Sequence, residues 1–240
     1  MSDISIVIPA HNEQENIEAV IKKVEGDVGV SHELIVVNDY SVDNTVGVVE
    51  GLCGKYRNLR LVHNTDKPGF ANAIKKGFSE IRGDVVVPVM GDLCDDLHTI
   101  NAMWAKIQEG YDVVCASRYI KGGARIGGSR IKGFFSRFAG WSLHIILGVP
   151  THDIANAFKM YRKAVIENMQ IDASGFEISM EMPLKAYYAG FLITELPTVW
   201  HERVKGKSSF KMLRLAPNYA KFYLWAVFRS LRRLLCQGFQ

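Results

Sequence analysis

The chain has 240 residues, 48% of them hydrophobic, which is enough to bury the core of one large domain, alone or with a short appendage. Its formal net charge is only +4, but basic residues crowd the last forty positions and favour an anionic ligand or surface near that end. Four scattered cysteines, no signal-peptide pattern and no uninterrupted apolar run of about 18 residues argue against a disulfide framework, a zinc site, secretion and a membrane span.

The first half of the chain alternates short β-branched runs with helical patterns. The runs predict strands at residues 4–8, 34–37, 59–63 and 85–90. Apolar residues at helical spacing, or turn residues that open a helix, predict helices at 13–24, 43–51 and 69–81. This alternation predicts an α/β fold with a mostly parallel sheet covered by helices.

The second half begins with a strand at 113–117 and then changes character. Residues 121–133 contain five glycines and four basic residues, which predicts a mobile loop that grips a ligand. Residues 134–149 are apolar but carry Arg137 and His144, which predicts a helix in a groove or on a membrane surface. Residues 219–235 mix aromatic and basic side chains and predict an interfacial helix, or else a helix packed on the domain or a second subunit.

Five short polar clusters directly follow apolar runs. They are His11 to Glu13, Asn38 to Ser41, Asp92 to Asp96, Arg118-Tyr119 and His201 to Lys207. Ligands of open α/β sheets bind at the carboxyl ends of the strands, so these clusters predict one shared crevice and an enzyme.

Seven segments together resemble one protein family. They are IVIPAHNEQENI, ELIVVNDYSVDNT, VVVPVMGDLCDD, ASRY, HDIANAFKMYRK, FEISMEMPLKAYYAG and ELPTVWHERVKGKSSF. In this order they resemble the family 2 glycosyltransferases, in the branch similar to dolichyl- and polyprenyl-phosphate mannosyl- and glucosyltransferases. The resemblance implies a GT-A fold, a mostly parallel sheet flanked by helices, with a catalytic domain at 1–212 and an amphipathic basic helical tail at 213–240.

The resemblance implies that the nucleotide-sugar lies on the loops after the first two strands. The residues implied to hold it there are Pro9, Ala10, Asn12, Glu13, Asn38 and Asp39, together with Asp92 further along. Asn38 stands where the family has the first acid of an Asp-Asp-x-Ser cluster, so the base preference is open. Asn12 could instead cap a helix beginning near Glu13, and Ser41 and Asp43 could serve only a turn or cap.

The resemblance also implies a divalent cation, Mg²⁺ or Mn²⁺, bound by an Asp-x-Asp motif. Met90 replaces the first acid, Asp92 keeps the second, and Asp95 and Asp96 follow. A thioether is a poor ligand for Mg²⁺, so either Asp92 forms a shifted site with Asp95 or Asp96, or metal dependence is weakened. The alternative for Asp95 and Asp96 is to cap the next helix.

The family grips its acceptor phosphate with basic residues, and matching positions exist here. They are Arg118, Lys132 with Ser136, and Arg203, with Arg130 and Arg137 as neighbours of the middle pair. Guanidinium groups suit a phosphate with free oxygens.

Three further acids complete the candidates. Asp153 is expected to contact a sugar hydroxyl and, with Asp92, Arg118 and Arg203, to form the catalytic set. Glu177 and Glu181 are four residues apart and could face the crevice or simply pair with Lys185.

The implied function is inverting transfer of a sugar from a GDP- or UDP-linked donor to polyprenyl or dolichyl phosphate, at the cytoplasmic face of a membrane. Two alternatives remain open: transfer to a soluble or polymer-bound sugar hydroxyl, and a catalytically impaired nucleotide-sugar-binding module. A homo-oligomer is possible, whereas a nucleic-acid partner is not expected, because aromatic and basic residues do not interleave on a predicted sheet face.

Overall fold

A computed structural model describes residues 3–203 and 212–237 of the chain. The strands are β1 Ile4–Ala10, β2 His32–Asn38, β3 Leu59–His63, β4 Val85–Pro88, β5 Val113–Ser117, β6 Ala124–Ile126, β7 Lys159–Arg162, β8 Ile193–Pro197 and β9 Val199–His201. The helices are α1 Ile17–Asp27, α2 Thr45–Cys53, α3 Phe70–Ser79, α4 Thr99–Gln108, α5 Arg130–Leu147, α6 Lys163–Glu167, α7 Ile178–Ala189 and α8 Met212–Gln237.

Seven strands form one sheet in the order β3-β2-β1-β4-β7-β5-β8. All neighbouring strands are parallel except β7, which runs antiparallel to both β4 and β5. The predicted fold class, a mostly parallel sheet flanked by helices, is confirmed. Because β7 is reversed, the loop that precedes it reaches the same edge as the carboxyl ends of the other strands.

The core lies on both faces of this sheet. Every residue of β1 is buried, and its alternate side chains pack against α1 on one face and α3 on the other. Gly77 lets α3 approach the sheet closely, because a Cβ there would lie 3.1 Å from Cγ2 of Val37 and nearer still to Val7. The apolar runs of the sequence are therefore buried strands, as predicted.

The start of the first helix differs from the prediction. Helix α1 begins at Ile17 rather than at Glu13, so Asn12 does not cap it. The backbone N–H groups of Asn12 and Glu13 donate to the side chains of Ser41 (3.0 Å) and Thr45 (2.9 Å), which hold residues 11–16 as a loop. These bonds take the donors that a helix would have left free at its start.

The glycine-rich segment is more ordered than the sequence predicts. Strand β6 within it pairs in parallel with β9, and α5 already begins at Arg130, where the Ser129 hydroxyl accepts the N–H of Lys132. Gly127 and Gly128 have φ of 81° and 73° and form the turn between the two elements. The prediction that residues 121–133 form a mobile loop without packed elements was therefore wrong.

The C-terminal helix α8 packs on the domain. Phe222 and Ala226 are buried against the helical layer formed by α5 and α7. The Tyr188 hydroxyl of α7 lies 2.6 Å from the carbonyl oxygen of Ala226 and donates to it. Among the residues that the structure describes, no helix is both long and apolar enough to cross a membrane. The division of the chain at residue 212 stays a prediction.

Candidate active site

One cavity of about 1080 Å³ opens at the carboxyl edge of the sheet. Its walls include Ala10 at the end of β1, Asp39 after β2, Asp92 after β4 and Arg118 after β5. Asn156, in the loop that enters the reversed strand β7, joins them. Four of the five predicted polar clusters thus meet in one crevice, and the fifth reaches it through Glu202 and Arg203, while residues 204–207 of that cluster lie outside the described residues.

Asp39 is a buried carboxylate in the wall of this cavity. Its two oxygens accept hydrogen bonds from Nδ2 of Asn64 (2.7 Å) and from the N–H of Gly69 (2.9 Å). Gly69 has φ of 148°, a backbone conformation that suits glycine, and Asp39 thereby fixes the start of α3. Sequence reasoning missed Asn64 and Gly69, although the Pro68-Gly69 turn marked the position.

The predicted nucleotide residues divide into two groups. Pro9, Ala10 and Glu13 line the cavity with Asp39, whereas Asn12 and Asn38 do not. Asn12 is exposed and its Oδ1 accepts the N–H of Val42 (2.8 Å), and Oδ1 of the buried Asn38 accepts the N–H of Ser41 (3.1 Å). Both asparagines therefore shape the loops around the cavity, and their contact with a ligand stays a prediction.

The acidic loop after β4 brings two of its three carboxylates to the cavity. Asp92 and Asp95 line it, whereas Asp96 does not, and Oδ1 of Asp96 accepts the N–H of His98 at the beginning of α4. Asp95 is only 7% exposed. Burial and then the charge of Asp92 raise the pKa of Asp95 to about 7, although the charge of Arg118 opposes the shift.

Asp92 is held by the local backbone. Its Oδ1 accepts the N–H of Cys94 (3.2 Å), and Leu93 between them has φ of 59°, an uncommon value for a branched residue. Within residues 3–203 and 212–237, no three His, Cys, Asp or Glu side chains form a preassembled metal-binding group. A cation at this loop would therefore need ligands from the substrate or solvent in addition to Asp92 and Asp95.

Arg118 and Asp153 form the tightest ion pair at the cavity. Asp153 is fully buried and accepts from Nε (2.7 Å) and Nη2 (2.8 Å) of Arg118, and also from its backbone N–H (3.0 Å). Burial opposes the charge on Arg118, but the carboxylate outweighs it and holds the pKa of Arg118 above its ordinary value. The expected contact of Asp153 with a sugar hydroxyl is not open in this arrangement, because Arg118 covers the carboxylate.

The other predicted phosphate-binding residues line the same cavity as Arg118. Ser136 on α5 accepts a hydrogen bond from Nη2 of Arg118 (3.2 Å), and Lys132, one turn earlier, also lines the cavity. Arg203 approaches from β9 and donates to the carboxylate of Glu13 (3.0 Å). Arg130 and Arg137 do not line the cavity. Basic side chains from three separate segments thus line one cavity.

Glu177 and Glu181 serve the scaffold. Glu181 is fully buried, accepts the N–H groups of Asp172 (2.7 Å) and Ala173 (2.8 Å), and pairs with Lys185 (2.6 Å). Oε1 of Glu177 accepts the N–H groups of residues 174 and 175. Neither carboxylate lines the cavity, which decides the open alternative in favour of structure.

Lys159, from the stretch implied to lie near the donor sugar, is also structural. It is fully buried, and its ammonium donates to the carbonyl oxygens of Ile154 (3.0 Å), Ser179 (3.2 Å) and Asn156. Burial lowers its pKa. These bonds tie the loop before β7 to the first turn of α7.

The far half of the cavity is apolar. Helices α5 and α8 line it with Phe135, Phe138, Ala139, Leu215, Ala216, Ala220, Tyr223 and Leu224. Phe70 and Phe176 stack at its side with ring centroids 4.5 Å apart. The sequence predicted both helices, but it did not predict that they face each other across the same cavity. A ligand that fills this cavity therefore has a polar, charged end and a hydrocarbon end.

Comparisons with known proteins gave matches to a family model and to relatives. The sequence model of glycosyl transferase family 2 matches residues 5–169. A dolichol-phosphate mannosyltransferase of Pyrococcus furiosus is 30% identical over 211 residues, which is 87% of this chain and 59% of that relative. A polyprenol monophosphomannose synthase of Mycolicibacterium smegmatis is 26% identical over 92% of this chain and 86% of its own length. This chain therefore spans less than two thirds of the archaeal relative.

Solved structures share the fold. The glucosyl-3-phosphoglycerate synthase of Mycobacterium tuberculosis, in complex with Mn²⁺, uridine diphosphate and glucosyl-3-phosphoglycerate, superimposes with a TM-score of 0.70. The match covers 95% of this chain and 80% of that one at 19% identity, a level that supports the fold alone.

Proposed function

We propose a lipid-phosphate acceptor and a nucleotide-sugar donor for this chain, which belongs to glycosyl transferase family 2. The reaction is the transfer of a sugar from a GDP- or UDP-linked donor to polyprenyl or dolichyl phosphate. The single observation that carries the proposal is the cavity itself, in which Arg118 stands between acidic strand ends and an apolar wall from α5 and α8. A phosphate with a hydrocarbon chain has the matching polarity. The names of the two curated relatives support the same acceptor class.

The proposed chemistry is a single displacement with inversion. A phosphate oxygen of the acceptor forms a bond to the anomeric carbon while the bond from that carbon to the diphosphate breaks. A phosphate monoester has its second pKa near about 6 and is largely dianionic at neutral pH, so no side chain has to remove a proton. Arg118, Lys132 and Arg203 hold the acceptor phosphate near the reacting carbon and screen its charge from the diphosphate.

The residues of the acidic loop fit a divalent cation. The carboxylate of Asp95 is 7% exposed and accepts no hydrogen bond from the described part of the chain, and the charge of Asp92 acts on it. Carboxylate oxygens are the hard ligands that a divalent cation prefers, and both Asp92 and Asp95 line the cavity. Asp92 and Asp95 would hold Mg²⁺ or Mn²⁺, which when bound neutralises charge on the departing diphosphate. Asp96 is the weaker candidate, because it does not line the cavity and its Oδ1 accepts the N–H of His98.

The proposed acceptor requires contact with a membrane surface, and the outer face of α5 and α8 supports this. Large apolar side chains stand more than half exposed there, namely Ile131, Phe134, Trp141, Ile145 and Ile146 on α5, and Phe228 on α8. Arg229, Arg232 and Arg233 accompany them on α8. Apolar side chains beside basic ones are typical of helices that lie in the interface of anionic bilayers.

The proposed location is the cytoplasmic face of that membrane. Among the described residues, Cys53, Cys94 and Cys115 are all free thiols, which is consistent with a reducing compartment.

The test of function is a transfer assay that pairs GDP- and UDP-sugars with polyprenyl phosphate, in Mg²⁺, in Mn²⁺ and in EDTA. We expect one donor to support transfer to the lipid and EDTA to abolish it. Asp92→Asn and Asp95→Asn should lose the metal response, whereas the matched change Asp96→Asn should keep it. Transfer only to soluble sugars would favour the alternative acceptor, and donor binding without turnover in any metal would favour the binding module.

The test of membrane contact is flotation with anionic and neutral liposomes. Removing residues 213–240 would also remove a cavity wall, so point changes are preferable. Phe134→Ser with Trp141→Ser should abolish flotation with anionic vesicles, while Leu192→Ser, an equally exposed apolar residue at the amino end of β8, should not. Flotation that survives the α5 changes would contradict this part of the proposal.

A further inference from the structure

We propose that Asp153 is a positioning residue, which fixes the guanidinium of Arg118 so that Nη1 is the group presented to an acceptor phosphate. The inference rests on the proposed function for the identity of that ligand. It replaces the expected sugar contact of Asp153 with an indirect role, and it assigns one atom of Arg118 to the substrate.

The first step is the closure of Asp153 to ligands. The exposed fraction of Asp153 is 0%, and Arg118 donates to it from Nε, from Nη2 and from the backbone. The two side-chain bonds, at 2.7 and 2.8 Å, are the parallel fork that fixes a guanidinium plane. No sugar hydroxyl can reach the carboxylate while this fork is in place.

The second step is an account of the donors of Arg118. The guanidinium carries five N–H groups. Asp153 takes the one on Nε and one on Nη2, and Ser136 takes a second bond from Nη2 (3.2 Å). Within the described residues, the two N–H groups of Nη1 have no acceptor, and Arg118 lines the cavity with 11% of its side chain exposed. Nη1 is therefore the nitrogen left for an anionic ligand.

The third step is the rigidity of the loop that carries Asp153. The N–H of Asp153 donates to Oγ1 of Thr151 (3.1 Å), and that hydroxyl donates to Glu195 on β8 (3.2 Å). Helix α5 also touches this loop, because Gly140 lies against the carbonyl group of His152. These contacts hold the carboxylate of Asp153 in one position. The two hydrogen bonds from that carboxylate then hold the guanidinium of Arg118 in one orientation. A guanidinium held in advance loses less conformational entropy on binding than a free one.

The experiment is a double-mutant cycle on the full chain with Arg118→Gln, Asp153→Asn and the two changes together. The probes are a short polyprenyl phosphate such as farnesyl phosphate, and farnesol as its uncharged match. Binding of each is measured by calorimetry without a donor, and KM for donor and acceptor is measured in the transfer assay. Asp172→Asn is the matched control, because Asp172 forms an ion pair with Lys185 away from the cavity.

We expect each single change to weaken phosphate binding by roughly 10- to 100-fold, with farnesol binding and the donor KM unchanged. The double variant should lose no more than Arg118→Gln alone, within about twofold, because Asp153 acts only through Arg118. If Arg118→Gln does not fold around an unpaired Asp153, Arg118→Lys takes its place both as the single change and in the double variant. Asp172→Asn should bind as the wild type does.

Three outcomes would overturn the inference. Losses that multiply in the double variant, or a donor KM that rises in Asp153→Asn with phosphate binding intact, would mean that Asp153 touches a ligand itself. A wild-type chain that binds farnesyl phosphate no better than farnesol would remove the anion site altogether. If phosphate binds and the losses are non-additive but no sugar is transferred, the positioning role stands and the proposed function fails.

Discussion

The contact of α5 with the loop before β7 allows a quantitative test through Gly140→Ala. Gly140 is buried, and a Cβ there would lie 2.5 Å from the carbonyl carbon of His152, nearer still to its oxygen, and 3.1 Å from the backbone nitrogen of Asp153. All three atoms belong to the backbone, so neither partner can yield by a rotamer change. Ordinary contact between carbon atoms is about 3.5–4.0 Å, so helix and loop would have to separate by about 1 Å.

Two opposing terms set the size of the effect. Alanine in place of glycine in a helix gains up to about 1 kcal/mol of stability. Overpacking at a closed contact costs about 1–3 kcal/mol. Gly51→Ala in α2 isolates the first term, because a Cβ at Gly51 would meet no atom within 4 Å. The Gly140→Ala variant should therefore be less stable than the Gly51→Ala variant by about 1–3 kcal/mol, which is about 2–4 °C of Tm per kcal/mol in a chain of this size.

The assay is thermal and urea unfolding of both variants, together with farnesyl phosphate binding. The same 1 Å displacement carries Ser136 away from Arg118, whose hydrogen bond is already 3.2 Å long, so phosphate binding should weaken in Gly140→Ala and not in Gly51→Ala. Equal gains in stability for the two variants would refute the reasoning, because they would mean that the helix can move at no cost.

Three further predictions concern the scaffold. Burial opposes the charge on Glu33, but hydrogen bonds, chiefly from Ser5 and Arg60, outweigh burial and hold the pKa of Glu33 below 4.5. The ionised carboxylate therefore stabilises the fold above pH 4.5, and this stabilisation is lost as the pH falls through the pKa of the folded state. Glu33→Gln should cost about 1–3 kcal/mol at pH 7 and flatten the acid limb of a stability-against-pH curve, and an unchanged limb would contradict this. Glu181→Gln should cost about 2–4 kcal/mol of unfolding free energy by urea titration and leave donor affinity unchanged, since this buried carboxylate holds backbone N–H groups outside the cavity. Phe222→Ala, which empties a site that is 4% exposed beneath α8, should cost about 3–5 kcal/mol, and a loss below about 1 kcal/mol would show that α8 does not depend on this contact.

Five of the seven strands of the large sheet were predicted, and four of them, β1, β2, β4 and β5, are buried almost throughout, whereas β7 and β8 were not predicted. A short, continuous apolar run between two helical patterns, such as Leu34 to Val37, indicates a strand buried on both faces of a sheet. The structure places each of these runs in the sheet. The direction of β7 was not predictable, because strand residues alone carry no information about which neighbours they meet. Its reversal decides which loop enters the site.

The candidate site was predictable where polar residues directly follow a strand. Asp39, Asp92 and Arg118 belong to this class, and all three line the cavity. The sequence could not decide the contacts within the site. Asp153 was expected to contact a sugar hydroxyl, and Glu181 was left open between the crevice and an ion pair with Lys185. Arg118 covers the carboxylate of Asp153, and Glu181 accepts backbone N–H groups outside the cavity, which only three-dimensional neighbours reveal.

The predicted start of the first helix was wrong because partners distant in sequence hold the preceding loop. The loop at residues 11–16 shows the residue types of a helix start, yet side chains from the next strand-to-helix loop accept its backbone donors. A window along one segment cannot register partners about thirty residues away.

The ion pair between Arg118 and Asp153 also affects local unfolding of the protein. After Arg118 the chain leaves the sheet, forms β6 and α5, and returns at Asp153. The ion pair joins the two ends of this segment, which are 35 residues apart in sequence. A segment closed at its base can open and close as one cooperative unit while the sheet stays folded. Amide exchange along α5 should accordingly report a single protection free energy, and loosening the clasp should lower it throughout the helix at once. One ion pair would then determine both the orientation of the Arg118 guanidinium and how often α5, one wall of the cavity, opens.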